Sequence, residues 1–354
     1  MCRLWWALQR FVVVAVASRL ARGTLAAVLT AAALAACGVR GAQIEGSPLL
    51  RYFERAAGQI AYLGLDGNVY TIDQKGNQSF LVTKDAGGDG PQQIRYLQPT
   101  WAPDGRHLAF GRLVTNVGDA PSGSVVVADR EGHAITDLLG DGPRLPIHLS
   151  WGPTSHSVAI LSQQLGEFDL ELGIAAVPLN GEAGPGYHPV DRGVPYYWDW
   201  TPDGSSLLTN VNGRFTPGDA SRLAFLEVEV TDAPPAPLPI RPARFQSPQV
   251  SGDGNGMVYV ELVEGAAVLV WNKIQGTRRQ VITPVPGHVY FSLAHDGKRL
   301  AYLKSPTIGF HADGTLKLRN LTNGDEHTAP EQTVMAFYWS PNSRLVGLPG
   351  ASPS

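Results

Sequence analysis

Short runs of alternating apolar and polar residues recur along the chain in pairs, and each pair flanks a turn. A representative unit begins at Trp101 and ends at Phe110, with Pro103, Asp104 and Gly105 at its centre. Proline presets the first turn position, aspartate bonds to the backbone that follows it, and glycine accepts a positive φ. Alternation on both sides of such a turn predicts two antiparallel strands, each with one buried face.

This unit is repeated. Six segments that align without gaps carry the same strand–turn–strand pattern: 101–110, 151–160, 200–209, 250–259, 293–302 and 339–348. Their first residues are separated by 50, 49, 50, 43 and 46 positions. Third strands follow the hairpins, and turns such as Asn180-Gly181 and Asn323-Gly324 lead to fourth strands. Four short strands with a period in the forties are typical of propeller blades.

The segments that begin at Trp101, Trp200 and Trp339 resemble the W-S-P-D-G-x-x-[IL]-A-[FY] repeat of TolB-type, WD-like propellers. The resemblance covers residues 58–348 and implies an all-β fold, a β-propeller. The second copy lacks the Asp-Gly turn, and the fourth and fifth copies lack the tryptophan. Because the repeat is structural, the resemblance implies no particular activity.

The two ends of the repeat region indicate the number of blades. Residues 59–62, 68–73 and 79–82 match the second, third and fourth strands of a blade, and 334–338 match a first strand. We therefore expect six four-stranded blades, with the N-terminal strands completing the blade that the C-terminal segment begins. Such closure removes open strand edges. Residues 344–348 duplicate the role of 59–62, so seven blades or a truncated chain are the alternatives.

The sequence of the first 57 residues predicts a targeting signal followed by a tether. Residues 23–36 are an apolar run behind Arg19 and Arg22, which is typical of a secretory signal and too short to span a bilayer. The segment from Leu34 to Gly38 resembles the lipobox of bacterial lipoproteins, which implies cleavage before Cys37 and its acylation. An ordinary signal with an incidental cysteine is the alternative. A second apolar stretch at 11–17 indicates either a true start downstream of Met1 or an uncleaved helical hairpin over 5–36.

These features divide the chain into a signal peptide at 1–36, a lipid-attachment cysteine and tether at 37–57, a propeller at 58–348 and a tail at 349–354. We expect a secreted protein, anchored by lipid to the bacterial cell membrane or outer membrane and facing the periplasm or the exterior.

Charge and composition exclude several functions. The net charge is −3, and without 1–36 the chain has 24 basic and 31 acidic residues, or −7, which argues against a nucleic-acid partner. Both cysteines, Cys2 and Cys37, lie near the N-terminus and before the repeats, so we expect no disulfide framework in the folded part. No G-x-S-x-G or H-E-x-x-H motif occurs, and the histidines are scattered, so we expect no metal and no cofactor. Residues 85–90 and 251–256 could hold calcium through loop oxygens, but their pattern favours plain turns.

The candidate ligand-binding residues come from one face of the predicted propeller. The connections from second to third strands are long there, at 113–123, 162–171, 210–221 and 304–314, and such loops commonly carry function. Arginines before the first strands and an aromatic run in one first strand lie near this face. The candidates are Arg95, Arg144, Arg192, Arg244, Tyr196, Tyr197, Trp198 and Asp199. Solvated arginines and simple strand alternation are the structural alternatives.

Together these features predict a non-enzymatic binding module for an envelope protein, peptide or glycan, with the membrane reached through the lipid anchor. The alternative is a glycan-cleaving enzyme with Asp199 in an acidic site at the channel mouth. That chemistry needs a second carboxylate about 5–10 Å away.

Overall fold

The computed structural model describes residues 59–339, except 74–75, 77–78, 89, 141, 179–185, 212–220, 230–234, 244–245, 306–313, 330–333, 335–336 and 338. The chain divides into units 1–56 and 57–354, and every described residue belongs to the second. Cys37 and the predicted signal, tether and tail lie outside the described residues. Within the described part, no helix is long and apolar enough to cross a bilayer.

The described residues form 22 strands in six antiparallel sheets. The first sheet contains β1 (Gln59–Leu63), β2 (Val69–Asp73) and β3 (Ser79–Leu81). The second contains β4 (Gln92–Trp101), β5 (His107–Asn116), β6 (Ser122–Asp129) and β7 (Ala134–Asp137). The third contains β8 (Arg144–Trp151), β9 (Ser157–Gln164), β10 (Leu170–Ala176) and β11 (Tyr187–Gly193).

The fourth sheet contains β12 (Tyr196–Trp200), β13 (Ser206–Val211) and β14 (Arg222–Glu227). The fifth contains β15 (Gln249–Val250), β16 (Gly256–Val263), β17 (Ala266–Lys273) and β18 (Arg279–Pro284). The sixth contains β19 (His288–Leu293), β20 (Arg299–Ser305), β21 (Lys317–Asn320) and β22 (Glu326–Thr328). In every sheet, strands that are consecutive in sequence are neighbours, as the blades of a propeller require.

The repeated turn forms as its sequence predicts. In the second sheet the Asp104 carboxylate accepts a hydrogen bond of 2.7 Å from the Arg106 amide, and Gly105 has a φ of 63°. The Gly105 amide in turn donates to the Ala102 carbonyl at 2.9 Å. This turn connects β4 to β5 with Trp101 opposite Leu108 in the register.

The tryptophan that heads the repeat joins neighbouring sheets. The indole N–H of Trp151 donates to the Thr100 carbonyl at 3.0 Å, and that of Trp200 donates to the Ser150 hydroxyl at 3.0 Å. In both pairs the acceptor lies in the first strand of the preceding sheet. The tryptophan of the repeat therefore holds two neighbouring sheets together through a hydrogen bond, in addition to the apolar contacts of its ring.

The same bond recurs at the end of the chain and is missing at its beginning. The Trp339 indole donates to the Ser292 carbonyl at 2.8 Å, so this last described residue lies against the first strand of the sixth sheet. The Trp101 indole nitrogen is buried and has no hydrogen-bond partner in the described part of the chain.

The main cores lie between successive sheets. Val125 and Val127 of β6 belong to one cluster with Leu149, Val158 and Ile160 of the third sheet, and all five are buried. Similar clusters join the third sheet to the fourth, the fourth to the fifth and the fifth to the sixth. The all-β propeller predicted from the repeat is confirmed. Six blades, and closure between the two ends, stay predictions, because most of 330–348 lies outside the described residues.

About half of each of two predicted long loops is strand. β5 continues to Asn116 and β6 begins at Ser122, so only 117–121 connect them. β9 ends at Gln164 and β10 begins at Leu170, which leaves 165–169. The other two predicted loops, 210–221 and 304–314, fall largely outside the described residues.

Candidate functional site

A pocket of about 300 Å³ opens beside the first strands of the third and fourth sheets. Three of the residues that the sequence singled out line it, together with residues from β8, β9 and the segment before β15. The lining residues are His148, Ser150, Leu161, Tyr196, Tyr197, Trp198 and Ser247. We refer to this cavity as the axial pocket. Its volume is at the lower end of the range for small-molecule sites, about 300–1,000 Å³.

Aromatic rings form much of the wall. The Trp198 ring lies 5.3 Å from the His148 ring and 6.2 Å from the Tyr196 ring, both in edge-to-face geometry. Tyr196 and Trp198 are buried, whereas the intervening Tyr197 is 36% exposed. This difference follows from the alternation of side chains along a strand. Tyr197 therefore presents the accessible ring, and its two neighbours hold β12 against the third sheet.

The polar groups of the axial pocket are neutral. The Ser150 hydroxyl oxygen accepts the Trp200 indole N–H, which leaves its own proton available to a ligand. The Ser247 hydroxyl donates to the Trp198 carbonyl at 3.1 Å and fixes the edge of the pocket. Loss of hydration at the wall lowers the pKa of the His148 imidazole, so this ring is neutral at pH 7. Among the described residues, the pocket wall has no carboxylate and no permanently charged group.

Tyr196 is tied to the framework by its hydroxyl. That group donates to Asp191 Oδ2 at 2.7 Å, and Arg222 also pairs with this carboxylate. Burial, and then the nearby Asp191 charge, raise the pKa of the Tyr196 phenol. The phenol thus stays protonated and serves the fourth sheet rather than a ligand.

Asp199 joins two sheets rather than lining the axial pocket. Its Oδ2 accepts the Val250 amide of β15 at 2.7 Å, and its Oδ1 accepts the Trp200 amide at 3.1 Å. Burial raises the pKa of this carboxyl to about 6, although both amide bonds act in the opposite direction. Both carboxylate oxygens are therefore engaged by backbone.

Two glutamines do the same between other sheets. Gln98 Oε1 accepts the Leu149 amide at 3.3 Å, and Gln249 Oε1 accepts the Leu293 amide at 2.7 Å. Polar side chains of the first strands thus satisfy first-strand amides of the next sheet, which would otherwise be buried without partners. Of these three acceptors, only Asp199 was predicted from the sequence as a candidate ligand-binding residue.

Arg144 and Arg192 share a buried carboxylate. Arg144 Nε lies 2.9 Å from Glu171 Oε1, and Arg192 Nη2 lies 2.5 Å from Glu171 Oε2. The Tyr187 hydroxyl donates to Glu171 Oε1 at 3.0 Å, and Arg192 also pairs with Glu167 at 3.0 Å. Burial alone would raise the pKa of Glu171, but the hydrogen bonds from Tyr187 and Arg192 and the Arg144 charge outweigh it and lower that pKa. Both arginines therefore have a structural task within the third sheet.

Of the other two candidate arginines, only Arg95 lies among the described residues. Arg95 is exposed on β4 and makes no ion pair or hydrogen bond in the described part of the chain. Arg244 lies outside the described residues. The described residues also contain no cluster of three or more His, Cys, Asp or Glu side chains that could hold a metal ion.

Comparison with known proteins supports the fold and not a particular activity. No protein-family model matches the chain, and no curated protein does either. Among solved structures, the chain is similar to TolB from Acinetobacter baumannii, with 17% identity and a TM-score of 0.42 over 78% of this chain and 64% of that chain. It is also similar to a puromycin hydrolase, with 14% identity and a TM-score of 0.53 over 78% of this chain and 45% of that chain.

A third similar structure is an oligogalacturonate lyase in complex with manganese, with 14% identity and a TM-score of 0.49 over 77% of this chain and 74% of that chain. The chain spans less than two thirds of that TolB and less than half of the puromycin hydrolase. At these identities the likeness concerns the fold alone. The sheet topology confirms the all-β propeller fold that the repeat predicts.

Proposed function

We propose that this chain is a non-enzymatic binding module of the cell envelope and that its axial pocket receives part of a protein, peptide or glycan. The observation that carries this proposal is the chemistry of the pocket wall. Aromatic rings and neutral hydrogen-bonding groups surround a cavity of about 300 Å³ that has no charged side chain among the described residues.

Such a wall suits an uncharged ligand with both a flat and a polar side. Tyr197 offers an accessible ring face, on which a sugar ring or an apolar side chain can stack. Ser150 and His148 offer a hydroxyl and an imidazole for hydrogen bonds to hydroxyl or amide groups. A few polar groups in an otherwise apolar cavity are the usual composition of a specific binding site.

The hydrogen bonds of Asp199 argue against the glycan-cleaving alternative. Acid–base cleavage of a glycosidic bond by the common mechanism needs two carboxyl groups that flank the scissile bond. Asp199 accepts two backbone amides and does not line the axial pocket, and no carboxylate lines that pocket in the described part of the chain. A binding role requires neither group.

We also propose that the protein acts at a membrane surface of the cell envelope. Acylation at Cys37 would hold the propeller at a membrane surface, where the ligand is another component of the envelope. One acyl chain binds a membrane only marginally, so the multiple chains of a lipoprotein anchor are needed for stable attachment.

A single ring substitution tests the proposal. Wild type, Tyr197→Ala and the control Tyr62→Ala are immobilised and exposed to detergent extracts of the envelope, and each is also titrated with triacetylchitotriose as a neutral glycan probe. We expect Tyr197→Ala to lose about threefold to tenfold in affinity for whichever partner is retained, which is the usual contribution of an aromatic contact. Tyr62 stacks on Tyr70 in the first sheet, so Tyr62→Ala should bind like wild type.

Equal binding by wild type and Tyr197→Ala would refute the use of the axial pocket. Recovery of a cleaved ligand, or release of reducing sugar ends from any glycan tested, would refute the non-enzymatic role.

A further inference from the structure

A second cavity lies between the first and second sheets and shares no residue with the axial pocket. Its volume is about 540 Å³. It is lined by residues of β3 and the segment after it, and by residues of β4, β5, β6 and the turn after β6. We call this cavity the side cleft.

The side cleft has an apolar floor. Phe110 of β5 and Val126 of β6 are register partners, and Ala128 lies two residues further along the same face. Leu81 of β3 lines the cleft from the opposite sheet and is 50% exposed. Phe110 and Ala128 are already buried, so the apolar surface that a hydrocarbon group would remove from water belongs mainly to Leu81 and the partly buried Val126, with a gain of about 25 cal/mol per Å².

The polar lining carries a net positive charge. Lys84 is exposed and makes no hydrogen bond or ion pair within the described residues. Arg112 Nη2 lies 3.9 Å from Asp85 Oδ2, and Asp85 Oδ1 accepts the Tyr96 hydroxyl at 2.5 Å. Burial, then the bond to Asp85, raises the pKa of Tyr96 to about 12, so the phenol stays protonated and occupies that oxygen. The lining therefore has one carboxylate, Asp85, and two cationic side chains, Lys84 and Arg112. Lys84 can pair with a bound anion.

The wall that carries Lys84 is fixed in place. Asn68 Oδ1 accepts the Thr83 hydroxyl at 3.2 Å and the Ala86 amide at 3.0 Å. The Val69 amide in turn donates to Thr83 Oγ1 at 2.9 Å. These bonds hold residues 83–86 on both sides of Lys84 against β2. A site that is rigid before binding loses less entropy when it is occupied.

We propose that the side cleft binds a free medium-chain fatty acid, with the carboxylate beside Lys84 and Arg112 and the hydrocarbon chain over Leu81 and Val126. Apolar floor and cationic edge match the two ends of such an amphiphile. The size is suitable, since small-molecule sites commonly enclose about 300–1,000 Å³. This inference does not depend on the role of the axial pocket.

Calorimetric titration of the full-length protein with decanoate tests the inference. Two probes with the same chain length accompany it, namely 1-decanol without charge and decyltrimethylammonium with the opposite charge. We expect saturable 1:1 binding of decanoate, weaker binding of decanol and no binding of the ammonium compound. Lys84→Ala should weaken decanoate binding by up to about fivefold, which is the usual limit for an exposed ion pair, and Lys84→Glu should weaken it further.

Lys298→Ala is the matched control, because Lys298 is also an exposed lysine, and it lies far from the cleft residues, in the turn between β19 and β20. It should bind decanoate like wild type. Leu81→Asp places a negative charge on an exposed position of the cleft and should abolish binding without unfolding the protein. Absence of saturable decanoate binding, equal affinity of wild type and Lys84→Ala, or equal binding of all three probes would overturn the proposal.

Discussion

Replacement of Asp199 by asparagine should change how stability depends on pH. The carboxylate bridges β12 and β15 through the Val250 and Trp200 amides, and burial raises its pKa to about 6. Asparagine keeps the shape of the side chain and does not titrate. The comparison of the two proteins therefore isolates the cost of the charge at this position.

The sign follows from the two pKa values. The native value of about 6 lies above the 3.8 of an ordinary aspartate, so the native state holds the proton more tightly than the unfolded state does. The stability that this group contributes is fully present below pH 3.8 and is lost as the pH rises through about 6. At about 1.4 kcal/mol for each pKa unit, the loss is at most about 3 kcal/mol.

Urea denaturation of wild type and Asp199→Asn between pH 3.5 and pH 8 measures this difference. The free energy of unfolding of the variant, relative to wild type, should rise by up to about 3 kcal/mol across that range. Asp203→Asn is a suitable control, because hydrogen bonds from Thr201 and Ser205 lower the pKa of Asp203, and its difference should move in the opposite direction. A pH-independent difference for Asp199→Asn would refute the reasoning.

Three further outcomes are expected. Glu171→Gln should lower the free energy of unfolding by about 3 kcal/mol in chemical denaturation, because it leaves two arginines beside a buried neutral group. The control Arg95→Ala should change that free energy by less than about 0.5 kcal/mol. Equal effects of the two substitutions would contradict the structural role of Glu171. Trp101→Phe should cost about 1 kcal/mol less than Trp151→Phe in the same assay, since of these two indoles only that of Trp151 has a hydrogen-bond partner among the described residues. A larger loss at Trp101 would show that its indole is bonded. Cys37→Ser should leave an unprocessed precursor or release the protein from membranes, and unchanged mass and membrane partitioning on fractionation would contradict lipidation.

The fold was predictable because its signals are local and repeated. The turn around Asp104 and Gly105 specifies its hairpin within a few residues, and the same strand–turn–strand pattern occurs six times in the sequence. The aromatic part of the site was also within reach, since three consecutive aromatic residues in a first strand must place one ring on the exposed face. Tyr197 is that residue.

The charged candidates were harder to judge, because their partners are distant in sequence. Arg144 bonds to Glu171, 27 residues later, and Asp199 bonds to the Val250 amide, 51 residues later. The one available signal was a glutamate at the start of a strand that is otherwise apolar, from Leu172 to Ala176. The side cleft left no local signal either, because its lining residues come from two different sheets.

The most direct test of the binding proposal is to recover the ligand of the axial pocket and ask whether it is chemically changed. Wild type and Tyr197→Ala are incubated with the same envelope extract, and the bound material is analysed by mass spectrometry before and after prolonged incubation with fresh protein. The proposal predicts an intact ligand at a 1:1 ratio that Tyr197→Ala retains poorly, although both proteins melt at the same temperature. Progressive conversion of the ligand, or equal retention by both proteins, would contradict it.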